Sequence, residues 1–230
     1  MQVINVQNIT KIYEAAVPIT AVDGVSFQVE RGEFTAIVGP SGSGKTTLLN
    51  ILGGLDEPTS GTVTVNGTDL SQLKNSALID FRLRNIGFVF QAYNLIPVLT
   101  AKENVEFILN LQGVAKQPRE ARALALLREV GLEGREDSRP NQLSGGQQQR
   151  VAVARALAPK PQFILADEPT ANLDSKATTN LLQIMERLNA EEHITFIFST
   201  HDQRVIDIAH RVIRVEDGRI ISDERKDVQN

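Results

Sequence analysis

Three short stretches carry residues whose types and spacing could do chemistry. The first is Gly39-Pro40-Ser41-Gly42-Ser43-Gly44-Lys45-Thr46, which lies between an apolar run and a helical pattern. It fits G-x-x-x-x-G-K-[ST], in which a loop wraps phosphate groups with backbone amides. Gly42 and Gly44 permit the backbone conformations that turn those amides inward without a Cβ clash. The helix opening near Gly44 adds free N–H groups and a dipole worth about 0.3–2 kcal/mol to an anion. Lys45 reaches toward β- and γ-phosphates, and the Thr46 hydroxyl is a ligand for Mg²⁺. Alone, this loop fits a kinase, a GTPase or an ATPase equally well.

The second stretch, Phe163-Ile164-Leu165-Ala166-Asp167-Glu168, is an apolar strand ending in two carboxylates. In an open parallel sheet, ligands gather beyond the carboxyl ends of the strands. Asp167 is expected to hold Mg²⁺ through a water, because that ion keeps much of its hydration shell. Glu168, pointing elsewhere, is expected to polarise an attacking water as general base, a role worth about 10²- to 10⁴-fold in rate. The third stretch, Leu143-Ser144-Gly145-Gly146-Gln147, precedes a helix that continues through Arg150 and Ala152–Ala158. Ser144 can cap that helix, while Gly145 and Gly146 expose N–H groups for a second anion contact.

These residues need a frame. Val3–Ile12 and Ala21–Val29 are rich in Val and Ile and joined by a loop containing Pro18, which predicts a hairpin. Phe34–Val38 is a short apolar run typical of a buried parallel strand, followed by the glycine loop and a helix through Leu52. Thr62–Val65 and Ile86–Phe90 are further strand candidates. From about Thr100 to Leu157 the pattern is helical, with Lys102–Leu111, Arg119–Val130 and Gly145–Leu157 separated by Gly113, Pro118, Gly131 and Pro140. Strands return at Phe163–Ala166, Thr195–Ser199 and Arg211–Val215, alternating with helices at Ser175–Leu188 and Gln203–Ala209. Such alternation predicts a doubly wound α/β core into which the helical block is inserted. Asp223–Asn230 is polar and expected to fray.

Composition narrows the partners. A net charge of −4 argues against nucleic acid held by phosphate neutralisation. The absence of cysteine excludes disulfides and thiolate metal sites and fits a reducing cytoplasm. Met1–Asn5 has no signal-peptide character, and no apolar run approaches the roughly 20 residues that span a bilayer. A membrane role is therefore expected to come through a partner.

Leu143–Gln147 matches the LSGGQ signature of ABC ATPases, and the resemblance extends over nearly the whole chain. Gly39–Thr46 resembles the family's Walker A loop and Phe163–Asp167 its Walker B strand, with Glu168 in the place of the catalytic glutamate. Gln91 sits where the family places its Q-loop glutamine, Ala171-Asn172-Leu173-Asp174 resembles the D-loop, and His201 resembles the switch histidine. Tyr13 is positioned like the aromatic residue that stacks on adenine.

The resemblance implies an α/β P-loop NTPase core of the RecA-like type, with an antiparallel β subdomain and an inserted α-helical subdomain. The whole chain is then one ABC ATPase domain, with the core in 1–91 and 160–230 and the helical part in 92–159. Its cofactors are ATP and Mg²⁺. Lys45, Gln91, Glu168 and His201 are implied as catalytic, and Thr46, Gln91 and Asp167 as metal-binding. The nucleotide-contacting set is Tyr13, Gly39, Pro40, Ser41, Gly42, Ser43, Gly44, Lys45, Thr46 and Thr47 of one subunit, with Ser144, Gly145, Gly146 and Gln147 of another. ATP thereby joins two subunits head to tail as a homodimer. An integral membrane permease subunit is expected to dock near Gln91–Thr100, holding the protein at the inner face of the cell membrane; no nucleic-acid partner is expected.

The closer resemblance is to the lipoprotein-release, macrolide-export and cell-division group, through Gly87–Pro97, Leu143–Arg150 and Ala166–Thr170. A cell-division regulator that moves no solute stays open, as does a soluble ABC ATPase acting on DNA or ribosomes. The latter families usually carry coiled coils or tandem cassettes, and this chain has neither. A GTPase is disfavoured because no N-K-x-D stretch is seen.

Overall fold

The computed structural model describes residues 1–226. Strands β1 (Gln2–Tyr13), β2 (Ile19–Glu30), β4 (Ser60–Val65) and β5 (Thr68–Asp69) form an antiparallel sheet in the order β2-β1-β4-β5. Strands β3 (Phe34–Val38), β6 (Ile86–Val89), β7 (Phe163–Asp167), β8 (Phe196–Thr200), β9 (Arg211–Glu216) and β10 (Arg219–Arg225) form a second sheet in the order β10-β9-β3-β8-β7-β6. All neighbours in it are parallel except β9 and β10.

Every residue of β3 and β8 is buried, as expected of parallel strands covered on both faces. The two-residue period divides their side chains between two cores. Phe34, Ala36, Val38, Phe196 and Phe198 pack toward the helical side, whereas Ile37 and Ile197 face the antiparallel sheet and helix α1 (Lys45–Leu52). Phe34 tilts against Phe198 with ring centroids 4.7 Å apart. Each such side chain contributes about 1.5–3 kcal/mol on full burial.

Helices α3 (Ala101–Leu111), α4 (Lys116–Glu129) and α5 (Gly145–Leu157) lie in sequence between β6 and β7, which nonetheless pair directly from Ile86 with Phe163. The Arg150 guanidinium donates to the carbonyls of Val130 and Gly131, satisfying backbone groups left open where α4 ends. Helices α6 (Ser175–Glu192) and α7 (Gln203–Ile208) connect β7 to β8 and β8 to β9.

Two features depart from the sequence reading. Helix α2 (Asn75–Asn85) was not foreseen; none of its residues is fully buried, so no apolar stripe announces it. Asp223–Arg225, expected to fray, belongs to β10, where Asp223 forms a bidentate ion pair with buried Arg211. The remainder of that predicted tail, 227–230, lies outside the described residues.

Candidate active site

The carboxyl ends of four neighbouring parallel strands converge on one cavity of about 660 Å³. From the end of β3 come Gly39, Pro40, Ser41, Gly42, Gly44, Lys45, Thr46 and Thr47; from β6 comes Gln91, from β7 Glu168, and from β8 His201. Ser43 lies buried behind the loop, and Asp167 stands beside Thr46.

The loop is shaped to leave amides free. Helices α3, α5, α6 and α7 each spend a side chain on their own N-termini: Thr100, Ser144, Asp174 and Asp202 accept from N–H groups of the first turn. Helix α1 has glycine at that place and no side-chain cap, so its first-turn donors are available to an anion. Gly44 takes φ 98°, and a Cβ there would meet the Ala21 carbonyl oxygen at 2.1 Å. A Cβ on Gly39 would meet the Val215 carbonyl oxygen at 2.0 Å, so neither glycine can be replaced without moving backbone. The Lys45 ammonium donates to the carbonyls of Gly39 and Pro40, both at 2.9 Å, and is held inside the ring rather than in solvent.

The Thr46 hydroxyl donates to the Asp167 carboxylate at 3.1 and 3.2 Å. This is an adjoining pair of hard oxygen donors at the cavity edge, the donor type that Mg²⁺ takes. No group of three or more His, Cys, Asp or Glu among the described residues could hold a metal by itself.

Glu168 takes φ 44°, a conformation that costs a non-glycine residue about 1–3 kcal/mol. Its N–H donates to the Ser199 carbonyl at 2.8 Å, and the side chain meets different partners from those of Asp167. The Thr200 hydroxyl donates to Glu168 Oε2 at 3.1 Å, and His201 Nδ1 lies 2.8 Å from Oε1. The next residue is anchored as well: Asp202 accepts two bonds from the Arg204 guanidinium and one from the Thr170 hydroxyl. Chiefly through the Arg204 bonds, the Asp202 carboxyl is lowered to about 2. The acid and the histidine are thus fixed from both sides of the β8 end.

Other expected residues lie elsewhere. Ser144 and Gly146 line a separate depression with Asp174, Lys176 and Asn180, not the cavity around Lys45. Ser144 and Gln147 form a reciprocal capping box on α5, and Gly145 packs so closely that a Cβ would lie 2.7 Å from Tyr93 Oη. Tyr13 does not line the cavity, although its hairpin partner Ile19 does. The Tyr13 hydroxyl donates to Asp56 at 2.7 Å, and Lys11 Nζ stands 4.9 Å from the ring centroid.

Sequence reasoning missed the supporting groups. Thr200 gives no signal beyond its neighbour His201. Gln149 is fully buried in α5, and its amide donates to the Pro169 carbonyl at 2.8 Å, joining α5 to the turn after Glu168. Polar residues on a helix next to Ala and Val could have been flagged as buried donors, but nothing in the spacing names their acceptors.

Comparison with known proteins agrees with this geometry. The ABC transporter family model matches residues 22–171. An uncharacterized ABC transporter ATP-binding protein of Thermotoga maritima is 50% identical over 228 residues, covering 99% of this chain and 97% of the relative. The macrolide export ATP-binding/permease protein MacB of Burkholderia pseudomallei is 50% identical over 205 residues, covering 89% of this chain but only 31% of the relative. Among solved structures, the dimeric post-hydrolysis state of the ATP-binding cassette MJ0796 bound to ADP and Pi superposes with TM-score 0.89 at 44% identity, covering 96% of this chain and 98% of that one. With uncapped amides, a buried lysine and an acid–histidine pair around one cavity, the chain belongs to the ABC transporter family and is its ATP-binding, ATP-hydrolysing cassette.

Proposed function

We propose that the cassette hydrolyses ATP only as a head-to-tail homodimer, and that it drives a separate membrane subunit of the export or lipoprotein-release type. One observation carries the dimeric reading: the cavity gathers the phosphate loop, Gln91, Glu168 and His201, while Ser144 and Gly146 open onto a different depression. A second copy can bring its Ser144–Gly146 over the first copy's phosphates, and the MJ0796 cassette, similar over nearly its whole length, is itself dimeric.

In this reading ATP phosphates rest on the first-turn amides of α1 and on Lys45. Tyr13, adjacent to the cavity through its strand partner Ile19, is assigned to stack on adenine. Thr46 and Asp167, with Gln91, would hold Mg²⁺, which would supply charge neutralisation to the phosphates when bound. Glu168 takes a proton from the attacking water as the new oxygen–phosphorus bond forms and the bond to ADP breaks. His201 and Thr200 hold the Glu168 carboxylate in place, and His201 is assigned the further role of contacting the γ-phosphate. The partner's Ser144 hydroxyl and its neighbouring amides add charge stabilisation at the transition state. Loss of the γ-phosphate removes the bridge between subunits, so ATP shifts the open–closed equilibrium through contacts made only in the closed state.

A groove of about 440 Å³ lined by Phe88, Phe90, Asn94, Ile96 and Phe107 adjoins Gln91–Thr100, the segment assigned to the membrane subunit. Buried Asn104 stiffens that segment by accepting from Ile96 N–H and donating to the carbonyls of Ile96, Leu99 and Thr100. No helix among the described residues is long and apolar enough to cross a membrane; in this reading the permease partner holds the cassette at the inner face of the membrane. The export type is supported by the macrolide export relatives, named as joint ATP-binding/permease proteins, of which the chain spans about a third.

Ser144→Arg tests the role in trans. The variant should bind ATP as tightly as wild type, because its own phosphate loop is untouched, while turnover falls about 10²- to 10³-fold. Turnover equal to wild type in a phosphate-release assay would remove Ser144 from the mechanism.

A further inference from the structure

In the loop that follows β6, Tyr93 and Asn94 take φ 60° and 49° in succession. Neither is glycine, and two adjoining left-handed residues persist only where their surroundings enforce them. Both carbonyls of this pair are held by Arg155, in the last turn of α5. Its Nη2 donates to the Tyr93 carbonyl at 2.8 Å, and its Nη1 donates to the Asn94 carbonyl. Burial pushes the Arg155 guanidinium below its ordinary value. Among the described residues no carboxylate forms an ion pair with it, so a desolvated charge is committed to two backbone carbonyls of one loop.

That loop begins at Gln91, which lines the nucleotide cavity. The Tyr93 hydroxyl donates to the Asn172 carbonyl at 3.2 Å, and the Asn172 side chain returns a bond to the Gln91 carbonyl at 3.0 Å. Gln91 and Tyr93 are therefore tied to one residue, and the rotation of Tyr93 and Asn94 decides how that tie is presented. A lysine at position 155 would offer its donors from a single atom in place of two fixed prongs, so it cannot hold the two carbonyls in the same geometry.

We propose that Arg155 is a positioning residue for ATP hydrolysis: by clamping the carbonyls of the left-handed pair Tyr93–Asn94, it fixes where Gln91 stands in the nucleotide cavity. The inference rests on the role given to Gln91 above, and it assigns Arg155 no contact with ATP.

The test is a double-mutant cycle in the ATPase assay, with Arg155→Lys, Gln91→Ala and the combination. Arg155→Lys should lose about 10- to 100-fold in kcat, as small misplacements of a reacting constellation do, with KM for ATP within about twofold. In the Gln91→Ala background the same change should have no further effect. Full additivity, or a rise in KM matching the fall in kcat, would overturn the proposal. A wild-type rate in Gln91→Ala alone would instead sink the role of Gln91, and the proposal with it.

Exposed Asn94 supplies a second pair of variants that spare the core. Asn94→Val, a β-branched residue forced to φ 49°, should lose far more kcat than Asn94→Gly, which adopts that conformation freely. Equal rates for the two would show that the left-handed conformation does not matter to the reaction and would also overturn it.

Discussion

Glu168→Gln binds ATP with wild-type affinity, accumulates as a stable ATP-bound dimer and loses about 10²- to 10⁴-fold in kcat. The change is nearly isosteric, and an amide oxygen can still accept from Thr200, whose hydroxyl stands 3.1 Å from Glu168 Oε2. The strained turn at φ 44° involves backbone alone and survives the substitution. What is lost is proton acceptance, because an amide does not take the proton of the attacking water. Without hydrolysis the γ-phosphate bridge persists, so size-exclusion with ATP should show a dimer outliving that of wild type. A monomer under conditions where wild type dimerises would contradict the account, as would undiminished phosphate release.

Lys45→Ala acts one step earlier and removes nucleotide binding. The ammonium is the cation of a ring otherwise built from neutral amides, and it is already oriented by the carbonyls of Gly39 and Pro40 at 2.9 Å. Its loss forfeits charge-assisted bonds to phosphate of about 1.5–3 kcal/mol each and leaves two carbonyls without their donor. The dissociation constant for ATP should rise by about 100-fold or more, read by titration calorimetry on protein whose circular dichroism matches wild type. An unchanged affinity would refute the cradle assignment.

The glycine loop and the Asp167–Glu168 pair were legible in the sequence because each follows a short apolar strand, ending at Val38 and Ala166, whereas Gln91 and His201 were singled out only by the family resemblance. The insertion of α3–α5 could be read from strands of one kind on either side of it. What escaped was governed by contacts distant in sequence. Asp223 looks like tail until Arg211, 12 residues earlier, is seen to pair with it across the β9–β10 edge. Helix α2 is held without a buried stripe, so its periodicity carries no signal. Gln149 and Arg155 were simply polar letters in a helix, because their acceptors at Pro169, Tyr93 and Asn94 lie 20 to 62 residues away. The separation of Ser144 from the phosphate cavity within one subunit, by contrast, accords with the expectation that Ser144 serves another subunit's nucleotide.

That separation is most directly tested by mixing two dead proteins, Lys45→Ala and Ser144→Arg. In a symmetric head-to-tail dimer each active site takes its phosphate loop from one subunit and its signature from the other. A mixed dimer then has one site with both defects and one with neither. Equimolar mixing should restore ATPase activity up to about a quarter of wild type, since half the dimers are mixed and each carries one intact site. If Ser144 instead served the nucleotide of its own subunit, every site would contain a defect, and the mixture would stay as inactive as its components.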